Sequence, residues 1–168
     1  VVLVATGGDQ KLLGARVLVR PCMRTSGFKS METTWMGTDF DGSFAQFLRI
    51  PANEAFPVDC DWSDIELGTV PCAFGTAENM LQRSNVSLGE HIFITGASGG
   101  VGSAAVQLAK RRGAVVTAMT SSPKMAAVRL IGADHVIARD NDPAEALGQE
   151  TVDVVVDNVA GPGFSRSE

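Results

Sequence analysis

The sequence predicts an α/β fold whose second half is a doubly wound parallel sheet and whose first half is mostly β. From Glu90 onward, apolar strand patterns alternate with amphipathic helix patterns, which is typical of βαβ units on a parallel sheet. Residues 1–68 instead contain short apolar or alternating runs separated by turn residues, which indicates β structure. Because a complete doubly wound sheet has about six strands and the second half supplies fewer, we expect the sheet to be partial.

Each element of the second half is predicted from its apolar period and from the residues that bound it. The predicted strands are His91–Thr95, Val115–Thr120, His135–Ala138 and Val152–Asp157. Helices are predicted at Gly100–Arg112 and Pro123–Ile131. Right-handed crossovers would place the four strands side by side in one sheet.

The first half contains three predicted strands, which are Val1–Val4, Arg16–Arg20 and Phe44–Ile50. Between Pro21 and Gly42 the sequence is polar, with two aromatics, Phe28 and Trp35, that we expect to be exposed in an irregular excursion. One helical pattern begins near Asp64, and another covers Thr76–Arg83.

The charge pattern argues against nucleic acid and membranes as partners. The net charge of the 168 residues is −5, and the charges form neither a basic stripe nor a long run of one sign. No apolar run approaches the roughly 20 residues that span a bilayer. A small molecule is therefore the expected partner.

Cysteine usage and the chain ends indicate a piece of a cytoplasmic protein. Cys22, Cys60 and Cys72 are widely spaced without a C-x-x-C pair, so we expect reduced thiols rather than disulfides or a zinc knuckle. The chain opens on Val-Val-Leu-Val without an initiator Met or a signal-peptide pattern. It ends shortly after its last strand pattern, so we expect it to be cut at both ends.

A glycine-rich turn between the first strand and the first helix of the second half predicts dinucleotide binding. Ile92–Thr95 is an apolar strand that runs into Gly96-Ala-Ser-Gly-Gly-Val-Gly, and a one-faced helix follows. Glycines allow the tight turn and the close approach of backbone to pyrophosphate, and the helix N-terminus favours the anion. The alternative is a packing turn, but a second strand also falls where a Rossmann fingerprint requires it. The predicted cofactor contacts here are Ser98, Gly99, Gly100, Val101 and Gly102.

The end of the next strand favours NADP over NAD. An Asp or Glu about 20 residues after the glycines would bind the ribose 2′-hydroxyl of NAD. The sequence there is Thr120-Ser121-Ser122-Pro123-Lys124, in which two hydroxyls and an ammonium can hold a 2′-phosphate. In the alternative, Ser122 is a helix N-cap with Pro123 at the first helical position, and Lys124 is merely solvated.

These motifs resemble the medium-chain dehydrogenase/reductase superfamily, in particular its zinc-type alcohol dehydrogenases and quinone oxidoreductases. The resemblance covers nearly the whole chain and rests on Gly14–Pro21, Asp41–Ala52, Pro71–Asn79, Gly96–Lys110 and Leu130–Ile137, in the order and spacing of the family. It implies that residues 1–68 are the remainder of a GroES-like β domain with substrate and catalytic residues. Residues 69–168 would be the N-terminal half of a Rossmann domain.

The resemblance also implies roles for individual residues. Cys72 matches the third ligand of the catalytic zinc, and Thr76 matches a catalytic-site Thr that lies against the nicotinamide. The other two zinc ligands would precede residue 1, and the family's four-cysteine structural zinc lobe is absent. A buried, apolar Cys72 is the alternative. Asn158 and Val159 match a segment that contacts the cofactor ribose.

Two histidines lie at strand starts in this sequence. His91 and His135 match no ligand position of the family, so we expect them to pack at strand ends rather than to bind metal.

The function implied is hydride transfer between NADP(H) and a carbonyl, alcohol, enone or quinone, by an enzyme that is a homodimer or homotetramer at full length. NAD is possible as the cofactor, and zinc depends on the missing ligands. The alternative of another class is a non-enzymatic dinucleotide-binding module or structural protein. Short-chain dehydrogenases share the Thr95–Gly102 string, but they need a catalytic Tyr, and this chain has no Tyr.

Overall fold

The computed structural model describes residues 8–24, 26–27, 30, 32–148 and 151–160. These residues divide into two units between Pro71 and Cys72. The predicted strand at Val1–Val4 and the aromatic Phe28 lie outside the described residues.

The first unit has four short strands in two antiparallel pairs. The strands are β1 (Val17–Val19), β2 (Cys22–Met23), β3 (Thr34–Trp35) and β4 (Ala55–Pro57). Strand β1 pairs with β4, and β2 pairs with β3. Strand β1 confirms the prediction at Arg16–Arg20. The predicted excursion between Pro21 and Gly42 is mostly irregular, apart from the short β2–β3 pair, and Trp35 is exposed as expected.

The strand predicted at Phe44–Ile50 is wrong. Residues 43–46 bend, residues 47–50 have no regular structure, and Phe44 and Phe47 are exposed. A strand needs a neighbour to satisfy its backbone groups, and none of the described strands pairs with this segment. Strand β4 occupies the place beside β1 instead.

An ion pair between the half-exposed Arg20 and the buried Glu54 joins the β1–β4 pair. Glu54 is buried, and its carboxylate receives hydrogen bonds from Nε and Nη2 of Arg20 at 2.7 and 2.9 Å. The same guanidinium lies 5.7 Å from the ring centroid of Phe56 on β4. The positive charge of Arg20 thus compensates the buried negative charge of Glu54.

Two helices follow, one on each side of the predicted domain boundary. Helix α1 (Asp64–Gly68) begins with a capping box in which the Ser63 hydroxyl and the Glu66 carboxylate each accept from the other residue's backbone amide. Helix α2 (Val70–Arg83) contains the helix predicted at Thr76–Arg83 and begins six residues earlier. The helix predicted near Asp64 is confirmed by α1.

The second unit is the predicted parallel sheet. Its elements are β5 (His91–Ile94), α3 (Gly100–Arg111), β6 (Val115–Thr120), α4 (Met125–Leu130), β7 (His135–Ala138), α5 (Pro143–Leu147) and β8 (Val154–Val156). The strands lie in the order β7-β6-β5-β8, all parallel. A 3-10 turn over Ser122–Lys124 precedes α4, and α5 was not predicted.

The core of this unit is formed by the sheet and by small residues on α3. Ile92, Ile94, Val116 and Ala118 from the strands are fully buried, as are Ala104, Ala105 and Ala109 on the predicted face of α3. At the end of the helix, Lys110 Nζ donates to Asp134 at 2.8 Å and to the Ala114 carbonyl at 3.0 Å. Gly113 follows with φ +81°, as predicted for a glycine after a helix end.

Helix α3 contacts the preceding turn at Gly102, where there is no room for a side chain. A Cβ at this position would lie 2.2 Å from the Gly96 carbonyl oxygen and 2.8 Å from Ala97 Cα. Both are backbone atoms, so neither can rotate away. A Cβ at Gly100 would meet only Ala73 Cβ, at 3.6 Å, which is an ordinary contact.

We therefore expect Gly102→Ala to destabilise the intact protein by about 3 kcal/mol or more, because the added methyl forces backbone apart. Gly100→Ala is the matched control and should be neutral or up to about 1 kcal/mol stabilising, since alanine is the better helix former. Urea unfolding measures both. Equal stability of the two variants would contradict the contact.

Candidate functional site

The carboxyl ends of the four parallel strands surround a cavity of about 430 Å³. It is lined by Phe93, Thr95, Gly96, Ser98, Met119, Thr120, Ser121, Lys124, Arg139, Asn141, Pro143, Asp157, Val159 and Ala160. In open α/β sheets, ligands bind outside the carboxyl ends of the strands. The cavity therefore lies where this fold binds its ligand.

The glycine turn forms one part of this edge. Backbone bonds continue past the strand ends, with Thr95 donating to Val156 O at 3.0 Å and Ala97 to Met119 O at 3.1 Å. The Gly99 amide then donates to Gly96 O at 2.9 Å and closes the turn, and Gly96 has φ +60°. Gly99 precedes α3 without a side-chain cap, so the first amides of the helix are available to an anion.

The segment after β6 lies beside the turn. Ser121 and Lys124 line the cavity, whereas Ser122 is exposed and lies off its lining. Ser121, not Ser122, occupies the N-cap position of the 3-10 turn, and it makes no side-chain cap bond. The alternative in which Ser122 caps a helix is therefore wrong, although Pro123 does lie in the first turn.

Thr120 brings an unsatisfied hydroxyl to this region. Its side chain is buried at the end of β6, and among the described residues Thr120 Oγ1 has no hydrogen-bond partner. A buried hydroxyl without a partner costs free energy. Such groups are uncommon in native folds, and they are found where a ligand or water completes the structure.

Asp157 organises the end of β8. Its carboxylate accepts from the Thr95 hydroxyl and, at 3.0 Å each, from the amides of Val159 and Ala160. Burial alone would raise the pKa of Asp157, but these hydrogen bonds outweigh it and hold the pKa below its ordinary value. Asp157 is thus a carboxylate that is already used by its own chain.

Asn158 and Val159 differ in their surroundings. The side-chain Nδ2 of Asn158 donates to Thr95 O at 3.0 Å. The backbone amide of Asn158 donates to Thr95 Oγ1, and together these bonds join β8 to β5. Val159 lines the cavity and is exposed. A Cβ on Gly96 would lie 3.1 Å from Val159 Cγ2, so the glycine turn and this segment are in close contact.

The predicted cofactor contacts therefore fall into two groups. Ser98, Ser121, Lys124 and Val159 line the cavity. The others do not line it, and they are Gly99, Gly100, Val101, Gly102, Ser122 and Asn158. Val101 packs against the core and Gly102 is buried, so any contact from these two positions is through the backbone.

Sequence reasoning missed the far wall of the cavity, formed by Arg139, Asn141 and Pro143. Arg139 follows β7 directly, and its amide donates to Thr120 O at 2.8 Å. The rule that ligands bind at the carboxyl ends of parallel strands would have pointed to it. The sequence analysis singled out the glycine turn, the end of β6 and Asn158–Val159, and it did not consider the end of β7.

Cys72 and Thr76 lie on α2 rather than on the cavity lining. Cys72 is exposed, so the alternative in which it is a buried apolar residue is wrong. Among the residues that the structure describes, no group of three or more His, Cys, Asp or Glu is placed to hold a metal. Cys72 is a single donor there and does not by itself form a zinc site.

The two histidines lie at strand starts, as predicted. The ring of His91 lies 2.7 Å from both Thr151 O and Thr117 Oγ1, so it packs into the sheet. His135 is exposed at the start of β7.

Comparison with known proteins finds similarity to dehydrogenases and reductases. A model of the zinc-binding dehydrogenase family matches residues 100–167. Acryloyl-coenzyme A reductase of Metallosphaera sedula is 36% identical over 129 residues, which are 77% of this chain and 39% of the relative. The chain thus spans well under half the length of the curated relatives that it matches.

Solved structures agree with these relatives. A candidate alcohol dehydrogenase from Sinorhizobium meliloti is 42% identical with a TM-score of 0.89, and the match covers 98% of this chain and 47% of that one. The quinone oxidoreductase of Thermus thermophilus, also solved in complex with NADPH, is 30% identical with a TM-score of 0.59, covering 63% of this chain and 36% of that one. Across the described residues, no helix has the length and apolar character needed to cross a membrane.

We expect Thr120→Val to stabilise the cofactor-free intact protein by about 1 kcal/mol, because valine has the shape of threonine without the unsatisfied hydroxyl. Thr117→Val is the matched control, since Thr117 is also buried on β6 but its hydroxyl bonds to His91. That control should be destabilising. If urea unfolding shows the same loss for both variants, Thr120 has a partner.

Proposed function

We propose that this chain, which belongs to the medium-chain dehydrogenase/reductase superfamily, is the cofactor-binding part of an NADP(H)-dependent oxidoreductase. Its reaction would be hydride transfer between the nicotinamide and a carbonyl, alcohol, enone or quinone. The observation that carries the proposal is the cavity at the carboxyl edge of the sheet, with the glycine turn on one side and Lys124 on another.

The pyrophosphate would lie at the start of α3. The amides after Gly99 have no side-chain cap, and the positive end of the helix dipole favours an anion there. Ser98 offers a hydroxyl on the cavity lining. Gly99, Gly100, Val101 and Gly102 would contribute backbone, because a ligand can approach glycine backbone closely.

The 2′-phosphate would lie after β6. Ser121 and Lys124 line the cavity there, Ser122 is adjacent and exposed, and none of the three caps a helix through its side chain. The segment Thr120–Lys124 contains no carboxylate that could bind the 2′-hydroxyl of NAD. Both features favour NADP(H).

The bound nicotinamide would accept or supply the hydride, and the protein would hold it in position. Thr76 would lie against the nicotinamide, and Asn158 and Val159 against the ribose next to it. Acryloyl-coenzyme A, alcohols and quinones appear in the names of similar proteins, which supports a substrate that gains or loses a hydride. Zinc binding by Cys72 is a further proposal that needs ligands outside the described residues.

The domain assignment is also a proposal. Residues 1–68 would be the remainder of a GroES-like domain, and residues 69–168 half of a Rossmann domain. The complete enzyme would be a cytoplasmic homodimer or homotetramer.

Turnover of the intact protein tests the enzyme proposal. We expect the near-ultraviolet absorbance of the reduced nicotinamide to fall when enones, aldehydes or quinones are added, and to fall faster with NADPH than with NADH. Tight cofactor binding without absorbance loss across the whole panel would instead favour a non-enzymatic dinucleotide-binding module.

Lys124→Ala tests the cofactor assignment. It should weaken NADPH binding by about 1 to 3 kcal/mol, the size of a charge-assisted hydrogen bond, and leave NADH nearly unchanged. Arg129→Ala is the control, because Arg129 is exposed on α4 and does not line the cavity. Fluorescence titration measures both, and an equal loss for NADPH and NADH would refute the assignment.

A further inference from the structure

A second cation lies on the wall of the cavity that faces the end of β6. Strands β6 and β7 are in parallel register with Thr120 opposite Ala138. Arg139 follows Ala138, and its amide donates to Thr120 O at 2.8 Å. The backbone of Arg139 is therefore held directly beside the segment that begins at Ser121.

The guanidinium of Arg139 is open to a ligand. Its side chain is 71% exposed, and its ion pair with the neighbouring Asp140 spans 3.8 Å between two exposed groups. Exposed pairs of this kind contribute little free energy, so an anionic ligand can displace Asp140 easily. Arg20 and Arg112 differ, since each lies within 2.7 Å of a carboxylate oxygen.

Two cations on the cavity lining suit a dianion. They are Lys124 and Arg139, and the carboxylate on the lining, Asp157, accepts from the Thr95 hydroxyl and two backbone amides. Asn141 and Ser121 add neutral polar groups. A phosphate monoester carries nearly two negative charges at neutral pH, which one ammonium does not balance.

We infer that Arg139 is a specificity-determining residue of this site and, with Lys124, binds the phosphate on the adenosine ribose. The inference rests on the proposed function and deepens it. A guanidinium presents a planar pair of donors that matches two phosphate oxygens, whereas Lys124 acts as a point charge. The preference for NADP over NAD then depends on two strands, β6 and β7, and not on the end of β6 alone.

The test is a set of titrations of the intact protein with NADPH, NADH, adenosine 2′,5′-bisphosphate and AMP. Arg139→Ala should weaken both nucleotides with a 2′-phosphate by about 10-fold to 100-fold, the range of a charge-assisted bond, and change NADH and AMP less than about 2-fold. Arg139→Lys should recover only part of the lost affinity, because lysine keeps the positive charge but lacks the planar pair of guanidinium donors. Arg111→Ala, which removes an exposed charge at the end of α3, is the control and should change nothing.

Two results would overturn the inference while leaving the proposed function intact. One is wild-type preference for NADPH that Arg139→Ala does not reduce. The other is an equal loss for all four nucleotides, which would mean that Arg139 stacks on the adenine common to them. Failure of the wild-type protein to bind any of the four would refute the proposed function itself, and the inference with it.

Discussion

The close approach of helix α3 to the Gly96–Gly99 turn is the contact on which the site depends. At Gly102 the helix lies so near that an added Cβ would be 2.2 Å from the Gly96 carbonyl oxygen. This approach places the start of α3 at the carboxyl edge of the sheet, beside Ser98. It also leaves the first helical amides, which lack a side-chain cap, pointing to the region where an anion would bind. The tight turn thus packs α3 against the sheet, and in the proposed function it also binds the pyrophosphate.

Hydrogen bonds within the chain decide which charges of the cavity are available. Asp157 is ionised at neutral pH because the Thr95 hydroxyl and two amides stabilise its charged form, but the same donors occupy it. Lys110 and Asp134 are likewise committed to each other at the far end of α3. Lys124 and Arg139 are not committed in this way, since both are exposed on the cavity lining. The carboxylate on the cavity lining is therefore satisfied by its own chain, whereas the two cations there are available to a ligand.

Three strands and the first helix of the parallel sheet could be predicted nearly to the residue, whereas the first unit was predicted less completely. Strands β6 and β7 have the predicted bounds, and β5 and α3 end one residue early. Buried strands have their own signature, a short apolar run between breakers, because both faces are covered. Phe44–Ile50 has a similar pattern, but its β conformation would require a neighbouring strand that the described residues do not supply. An apolar pattern alone does not show whether a neighbouring strand is available for pairing.

The sequence by itself determined the βαβ order, the glycine turn and the hydroxyl-rich segment at Ser121–Lys124, because each depends on residues close together in the chain. Only the tertiary structure decided what those residues meet. It brought Arg139 beside the end of β6, and it left the Thr120 hydroxyl without a partner among the described residues. It also used the Asp157 carboxylate and the Asn158 side chain to join β8 to β5. These relations connect residues 19 to 63 positions apart, and parallel pairing, which no local pattern encodes, brings them together.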